Sequence, residues 1–259
     1  MTIPASPNPA IVSDMTRRTD HFDGRRFFNP NGANGQPLWA VPRMLFTPRT
    51  RWPSEVSVEP RRPPNPEPDE VVVTFVGHAT FLIQVAATNV LIDPVYSRRA
   101  SPVSFAGPRR VRAPGVPFED LPTISLVLLS HNHYDHCDLR ILKLLERCFH
   151  PPVVTPLGNG RLLRSAGIVQ VEEIDWWETT SAALLPITLT PAQHFSARSM
   201  FDRNGALWSG FLIEAGGHAF RHVSVDAGRN RGTGSRIGEG VAGAPWRRSG
   251  FERWRSESR

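Results

Sequence analysis

The chain has 259 residues and a formal net charge of +6 at pH 7. Hydrophobic residues make up 40% of it, which is enough for the core of one large domain or two small ones. No run of eighteen apolar residues and no signal-peptide pattern occurs, so the sequence predicts a cytoplasmic protein without a membrane-spanning helix. The only cysteines, Cys137 and Cys148, lack C-x-x-C spacing, which excludes a disulfide framework and a zinc finger.

Residues 1–68 are predicted to form an N-terminal arm and linker rich in proline and arginine. Residues 1–18 show no periodicity and are expected to be disordered. From residue 21 to residue 52, aromatic and basic side chains are interleaved, as at a lipid interface or a phosphate-binding surface. The same pattern fits an irregular arm that packs its aromatic side chains onto the domain. Residues 60–68 hold enough proline for a stiff linker.

The compact domain is predicted to cover residues 69–228, and it begins with strands. Three β-rich runs precede the first helix, at residues 71–76, 80–85 and 89–93. His78 and Asp93 lie at the ends of these runs. Side chains in such places can orient metal-binding imidazoles from behind, although an aspartate before proline also favours a turn.

The next apolar run, residues 124–130, leads into a cluster of residue types that bind metals. The cluster has the pattern H-x-H-x-D-H. His131 and His133, two positions apart in an extended loop, can point at one metal ion. Asp135 and His136 can point at a second ion nearby. Because imidazole with carboxylate suits zinc or a similar borderline metal, the sequence predicts a dinuclear centre, with zinc as the expected metal, in which Asp135 and His136 also take part in catalysis.

A helix is predicted directly after this cluster, at residues 139–147, with Asp138 as its N-cap. The elements predicted beyond it are a short helix at 161–166 and strands at 169–174, 184–190, 207–214 and 218–225. The pair Gly216-Gly217 between the last two strands predicts a hairpin. Trp176 and Trp177 are expected to pack rather than to bind a ligand.

Two further candidate ligands lie at later strand ends. His194 follows the strand at 184–190 and can supply a third nitrogen to the first metal ion. Asp226 follows the strand at 218–225, and its two carboxylate oxygens can bridge both ions, although Asp-x-Gly is also a common turn pattern. Two divalent ions lower the pKa of a water shared between them, which suits attack on a phosphodiester or on a strained acyl carbonyl.

Residues 229–259 have a different character, with eight arginines and no leucine after Leu212, and they predict a disordered tail. Nearly all the positive charge of the chain is arginine, since Lys143 is the single lysine. This bias fits either phosphate recognition or a GC-rich coding sequence. The charge lies mostly in the termini and no RNA-binding motif occurs, so specific nucleic-acid binding is not expected.

Several short segments together resemble the N-acylphosphatidylethanolamine-hydrolysing phospholipase D family, a branch of the metallo-β-lactamase superfamily. They are Val76-Gly-His-Ala-Thr80, Leu91-Ile-Asp-Pro94, Ser97-Arg-Arg-Ala-Ser-Pro102, Gly107-Pro-Arg-Arg110, Ser130-His-Asn-His-Tyr-Asp-His136, Pro156-Leu-Gly158, Ile174-Asp-Trp-Trp-Glu178 and Thr190-Pro-Ala-Gln-His194. Phe27-Phe-Asn-Pro30 also fits the bacterial members. The resemblance covers about residues 22–226, and it is more specific than the metal-binding motif alone.

The resemblance implies an α/β fold, the αββα sandwich of the metallo-β-lactamases, and a zinc-dependent phosphodiesterase. Such an enzyme releases phosphatidic acid and an N-acylethanolamine from an N-acylated phospholipid, using a hydroxide between two zinc ions. By position, His131, His133 and His194 would hold one ion, Asp135 and His136 the other, and Asp226 would bridge them. A phospholipid or another phosphodiester is the expected substrate, with peripheral membrane contact. A lactonase or a nuclease of the same fold is an alternative.

The sequence departs from this family near its end. Members continue beyond the bridging aspartate and supply a final histidine to the second metal ion. Here the aspartate stands in Val225-Asp-Ala-Gly228, and no histidine follows His222. We therefore expect an incomplete second half of the sandwich, as in a truncated or frame-shifted chain, and a second zinc ion that lacks a ligand. The alternative function is an inactive remnant that binds at most one metal ion.

Overall fold

Two β-sheets pack face to face in the computed structural model, and two helices lie against the outer face of the first sheet. The structure describes residues 18–30, 53–67, 70–85, 87–199, 201–215, 218–222 and 242–244. For this part of the chain, the mixed α/β arrangement confirms the predicted fold class.

The first sheet has six strands in the order β1-β2-β3-β4-β5-β6. Their bounds are β1 Val72–Gly77, β2 Thr80–Val85, β3 Thr88–Ile92, β4 Leu126–Leu128, β5 Val153–Pro156 and β6 Val171–Ile174. The first three strands pair antiparallel, and β3 to β6 pair parallel. The parallel part needs crossover connections, and the two helices lie in them.

Helices α1 (Leu139–Phe149) and α2 (Gly160–Ser165) follow β4 and β5 respectively. Helix α1 begins at the predicted residue because the side chain of Asp138 accepts hydrogen bonds from the backbone N–H groups of Arg140 and Ile141. Its Leu142 and Leu145 are buried in the core beneath the helix, and each buried leucine contributes about 1.5–3 kcal/mol. The cap and this packing together fix where the preceding loop ends.

The second sheet has five antiparallel strands in the order β11-β10-β9-β8-β7. Their bounds are β7 Thr179–Ala182, β8 Leu185–Thr190, β9 Gly210–Ala215, β10 His218–His222 and β11 Ala242–Ala244. The pairing of β9 with β10 confirms the predicted hairpin. Strand β7 was not predicted, because its sequence Thr-Thr-Ser-Ala has no apolar alternation.

Alternation along the central strands sends side chains into two separate cores. In β3, Val90 and Ile92 face the second sheet, whereas Leu91 faces the helices. In β4, Leu126 and Leu128 face the second sheet, whereas Val127 faces the helices. These central strands are therefore buried on both faces, as parallel strands between two layers require.

Residues 18–30 pack onto the domain, although the sequence assigns them to the arm. Phe22 and Phe27 are buried in a third apolar cluster with Trp176 and Trp208. The predicted packing role of Trp176 is thereby confirmed. For these residues the structure favours the alternative in which the aromatic side chains of the arm pack onto the domain, and most of the aromatic and basic residues up to residue 52 lie outside the described part.

In the predicted tail, residues 229–259, the structure describes only Ala242–Ala244, which pair with β10 as strand β11. That strand departs from the prediction of a disordered tail. The rest of the tail and residues 1–17 lie outside the described residues, so the disorder expected there and the incomplete second half stay predictions. None of the described helices has the length and apolar character needed to cross a lipid bilayer.

Candidate metal centre

Three histidine nitrogens converge on one point beside the end of β4. His131 and His133 come from the loop after β4, and His194 comes from the loop after β8. His131 Nε2 lies 2.9 Å from His133 Nδ1, and His194 Nε2 lies 3.0 Å from the first nitrogen and 3.1 Å from the second. Nitrogens that bind one tetrahedral ion at about 2.0–2.1 Å are about 3.3 Å apart. The spacing of this first ligand group therefore fits a single small cation.

A second ligand group consists of His78, Asp135 and His136, whose ligand atoms all lie within 4.8 Å of one another. His78 Nε2 is 3.1 Å from Asp135 Oδ2, and that oxygen is 4.0 Å from His136 Nε2. The sequence placed His78 behind the ligands, but the structure places its imidazole among them. His78 occupies the tight turn between β1 and β2 with a φ of +53°, and this turn brings the ring next to Asp135.

The two ligand groups are neighbours. The ring centroids of His131 and His136 are 4.1 Å apart, and those of His78 and His136 are 5.5 Å apart. His131 and His133 lie in the first group, and Asp135 and His136 lie in the second. His194 lies with the first group and His78 with the second.

Asp93 lies behind both groups and connects them. Its buried carboxylate accepts hydrogen bonds from Ser130 N (2.7 Å), Ser130 Oγ (2.6 Å) and His136 Nδ1 (2.8 Å). Since the Ser130 hydroxyl donates to Asp93, it accepts from His131 Nδ1, which is 2.9 Å away. Both rings therefore turn Nε2 towards the ligand groups, the arrangement by which carboxylates orient metal-binding imidazoles. The sequence predicts this role for Asp93 but not the part of Ser130, which no pattern indicates.

His194 is held by a residue from the N-terminal segment. Asn29 Nδ2 donates to the His194 carbonyl oxygen at 2.8 Å, and the His194 N–H donates to Asn29 Oδ1 at 3.3 Å. Burial of Phe27 beside Trp208 keeps the segment in place. Sequence reasoning did not identify Asn29, because its partner is 165 residues away and no local pattern connects the two.

The charge states of the ligand residues suit metal binding. The pKa of His194 is lowered to about 3, first by burial and then by the neighbouring His133 and His136. Burial is also the main reason that the pKa of His131 lies well below its usual value, and the neighbouring histidines lower it further. Burial disfavours the ionised carboxyl of Asp135, but the hydrogen bond from His78 and the charges of His136 and His78 outweigh it and lower its pKa. The buried imidazoles are therefore neutral, and the carboxylate ionised, at neutral pH, as ligation requires.

One further histidine lies close to the second group without joining it. His222, in β10, is buried, and among the described residues its Nε2 has no hydrogen-bond partner. Burial lowers the pKa of this imidazole, and the charge of His136 lowers it further. The charge of Asp93 acts in the opposite direction and raises it. Asp226, the predicted bridging ligand four positions later, lies outside the described residues.

Together the two groups offer five imidazole nitrogens and one carboxylate oxygen. This donor set fits zinc and also fits non-haem iron. The two groups lie side by side, so the described residues have the chemistry and the spacing for two ions. His78, which the sequence analysis places behind the ligands, offers a third ligand atom in the second group. The expectation that the second ion lacks a C-terminal ligand concerns residues outside the described part and stays a prediction.

The model of the beta-lactamase superfamily domain matches residues 88–230, which is more than half of the chain. An uncharacterized protein of Mycobacterium tuberculosis is 37% identical to this chain over 150 residues, covering 57% of this chain and 40% of that protein. N-acyl-phosphatidylethanolamine-hydrolyzing phospholipase D 1 of Caenorhabditis elegans is 36% identical over 151 residues, covering 54% of this chain and 42% of that protein. The chain thus spans about two fifths of the length of these relatives.

Among solved structures, this chain is similar to CmlA, a diiron beta-hydroxylase from Streptomyces venezuelae. The similarity covers 60% of this chain and 29% of that one, with 30% sequence identity and a TM-score of 0.43.

Proposed function

We propose that this chain, which belongs to the beta-lactamase superfamily, is a metal-dependent hydrolase of phosphodiesters and uses zinc. N-acylated phospholipids are the proposed substrate class, at a membrane surface that the protein contacts peripherally. The observation that carries the proposal is the pair of adjacent ligand groups, His131, His133 and His194 beside His78, Asp135 and His136. Its substrate part is supported by the similarity to the phospholipase D of Caenorhabditis elegans.

The charge of the site favours an anionic substrate. Among the six ligand residues Asp135 is the one carboxylate, and the other five are imidazoles, which carry no negative charge. Buried Asp93 adds one more charge behind them. These two charges offset only half of the charge of two divalent ions. The remaining positive charge attracts a phosphodiester anion more strongly than a neutral ester or lactone.

When bound, the metal ions supply an activated water and polarise the scissile phosphate. The described residues supply ligand atoms and their orientation. Asp93 and Ser130 fix the rings of His136 and His131, so that ligand positions do not shift as charge develops. Asp135, ionised at neutral pH and half-exposed, is the carboxylate that would hold the second ion and orient its water.

The test is the zinc content of the purified chain, measured by mass spectrometry, together with hydrolysis of bis-p-nitrophenyl phosphate by the same sample. Two zinc ions per chain, with turnover that a chelator abolishes and added zinc restores, would support the proposal. His194→Ala should lower the zinc content to one ion per chain and abolish turnover, whereas His150→Asn, at the exposed end of α1, should change neither the zinc content nor the turnover.

Two results would contradict the proposal. One zinc ion or none, without turnover, would favour the inactive remnant. Two zinc ions with hydrolysis of a lactone but not of the phosphodiester would favour a lactonase. If bis-p-nitrophenyl phosphate is cleaved, release of N-acylethanolamine from phospholipid vesicles then tests the proposed substrate class.

A further inference from the structure

A cavity of about 240 Å³ lies between the loop after β3, the start of α1 and the loop after β8. We call it the arginine cavity, and the lining residues that matter are Ser97, Arg98, Arg99, Tyr134, Arg140 and Arg198. None of the six metal-ligand residues lines it. Its volume is below the roughly 300–1,000 Å³ of pockets for drug-sized ligands, so it suits a headgroup or a small anion.

The charge of the arginine cavity is strongly positive and is not balanced by protein carboxylates. Four arginines line it together with one aspartate, Asp138. Asp138 is already occupied, since it accepts hydrogen bonds from the backbone N–H groups of Tyr96 and Ser97 while it caps α1. Within the part of the chain that the structure describes, none of the four guanidinium groups forms an ion pair. Four guanidinium groups without a carboxylate partner among the described residues, in one small cavity, favour an anionic ligand.

Two of the four arginines are held in position by backbone carbonyl groups. Arg198 Nη1 donates to the carbonyl oxygens of Asn132 (2.7 Å) and Cys137 (2.9 Å), and its guanidinium lies 4.0 Å from the centre of the Tyr134 ring. Arg99 Nη1 donates to the carbonyl oxygen of Gly107 at 2.6 Å. These contacts orient the guanidinium groups before any ligand arrives, which reduces the ordering cost of binding.

We propose that the arginine cavity binds a phosphate monoester, as a lipid headgroup or as a soluble phosphate ester. A phosphate monoester carries about −1.5 to −2 charges at pH 7 and three acceptor oxygens. Guanidinium groups bind such oxygens in pairs, and the hydroxyl of Ser97 adds a further donor. A carboxylate, with one charge and two oxygens, would leave more of the four arginines without a partner. The inference does not depend on the reaction proposed above, because the cavity and the ligand groups share no residue.

The cavity is nevertheless connected to the metal centre. Tyr134, which lines it, stands between the ligands His133 and Asp135 in the chain, and its hydroxyl donates to the Arg198 carbonyl oxygen at 3.0 Å. Phe105 follows the lining residue Ser104 in the chain, and 81% of its surface is accessible. An exposed aromatic side chain beside a cationic cavity suits contact with an anionic lipid surface.

The test compares two double variants of the zinc-loaded protein. Arg98→Gln/Arg140→Gln removes two exposed charges from the cavity, whereas Arg147→Gln/Arg161→Gln removes two exposed helix charges outside it. The probes are inorganic phosphate, followed by calorimetry, and phosphatidylcholine vesicles with or without phosphatidic acid, followed by sedimentation. Zinc content and bis-p-nitrophenyl phosphate hydrolysis are measured on the same samples.

We expect the cavity variant to lose about tenfold or more in affinity for the phosphate probes, and the control variant to stay within about twofold. If the protein binds phosphatidic acid vesicles and inorganic phosphate displaces it from them, the ligand is a lipid headgroup. If the protein binds inorganic phosphate but not the vesicles, the ligand is a soluble phosphate ester. Both outcomes support the proposal. Equal losses in both variants, unchanged affinity in the cavity variant, or no binding by the unaltered chain would overturn it. Phosphate binding that persists without any hydrolysis would sink only the proposed reaction.

Discussion

Asn29 and His194 are joined by two hydrogen bonds across 165 positions of sequence, one from the Asn29 amide to the His194 carbonyl and one from the His194 N–H to the Asn29 side chain. His194 supplies the one nitrogen of the first ligand group that does not come from the loop after β4. The N-terminal segment therefore holds the backbone of a metal-ligand residue in place, although it contributes no ligand itself.

Asn29→Ala is expected to weaken metal binding by the first ligand group. The change leaves the buried N–H and carbonyl of His194 unpaired, which costs about 1–3 kcal/mol and allows the loop to shift. Zinc affinity, measured by competition with a chromophoric chelator, should fall. Asn89→Ala is the matched control, because the Asn89 amide also donates to a backbone carbonyl, that of Thr123. An equal loss of zinc affinity in both variants would show that Asn29 has no particular effect on the site.

Asp93→Asn should reduce zinc affinity at both ligand groups. The carboxylate accepts from the Ser130 N–H on Oδ1 and from the Ser130 hydroxyl and His136 Nδ1 on Oδ2. The amide has one acceptor oxygen, so it cannot serve both sides. Loss of such a partner typically lowers metal affinity about 10–100-fold. The measurement is a chelator titration of the two sites. Asp120→Asn, which removes an ion pair with Arg62, is the control, and an Asp93 variant that binds zinc as tightly as the control would refute the expectation.

His78→Ala tests whether this residue binds the second ion or merely stands behind it. A ligand role predicts that the zinc content falls from two ions per chain to one, because only Asp135 and His136 remain in the described second group. His194→Ala should instead remove the first ion. Mass spectrometry of the native protein gives both numbers. Two tightly bound ions in the His78 variant would return this residue to the orienting role that the sequence suggested.

The contact between His21 and Asp175 predicts a pH-dependent contribution to stability. Burial lowers the pKa of His21, but the hydrogen bonds and charges of Asp175 and Asp20 outweigh it, so the pKa lies above its usual value of 6.5. A raised pKa in the folded state means that the contribution is complete below pH 6.5 and is lost as the pH rises through the folded-state pKa.

His21→Gln should therefore lower Tm more at about pH 6 than at about pH 9. A hydrogen bond to a charged group contributes about 1.5–3 kcal/mol, which corresponds to a few degrees in a chain of this size. Differential scanning fluorimetry of both proteins at the two pH values measures the difference. A loss of Tm that is equal at the two values would mean that packing of the ring on Trp176, 4.5 Å away, is its whole contribution.

Much of the first sheet and of the ligand loop was predictable, because the signals are local. The apolar runs that form β1, β2 and β3 alternate or end in turn residues within a few positions. Asp138 caps α1 through hydrogen bonds to residues two and three positions later. Strand β7 was not predicted. Its sequence, Thr-Thr-Ser-Ala, has no strand pattern, and it is a strand because it pairs with β8.

The sequence by itself determined the candidate ligands that lie close together in the chain. His131 and His133 lie two positions apart in an extended stretch and point the same way, whereas Asp135 and His136 lie in the turn before α1 and belong to the second group. His194 could be proposed from its place at a strand end. These inferences depend on backbone geometry over a few residues, which the sequence specifies directly.

Only the tertiary structure decided that His78 joins Asp135 and His136, that Asn29 holds His194, and that arginines from three segments line one cavity. Each of these contacts depends on which strands pair and on how two sheets pack. That outcome follows from burying apolar surface over the whole domain, and no short stretch of the chain carries it.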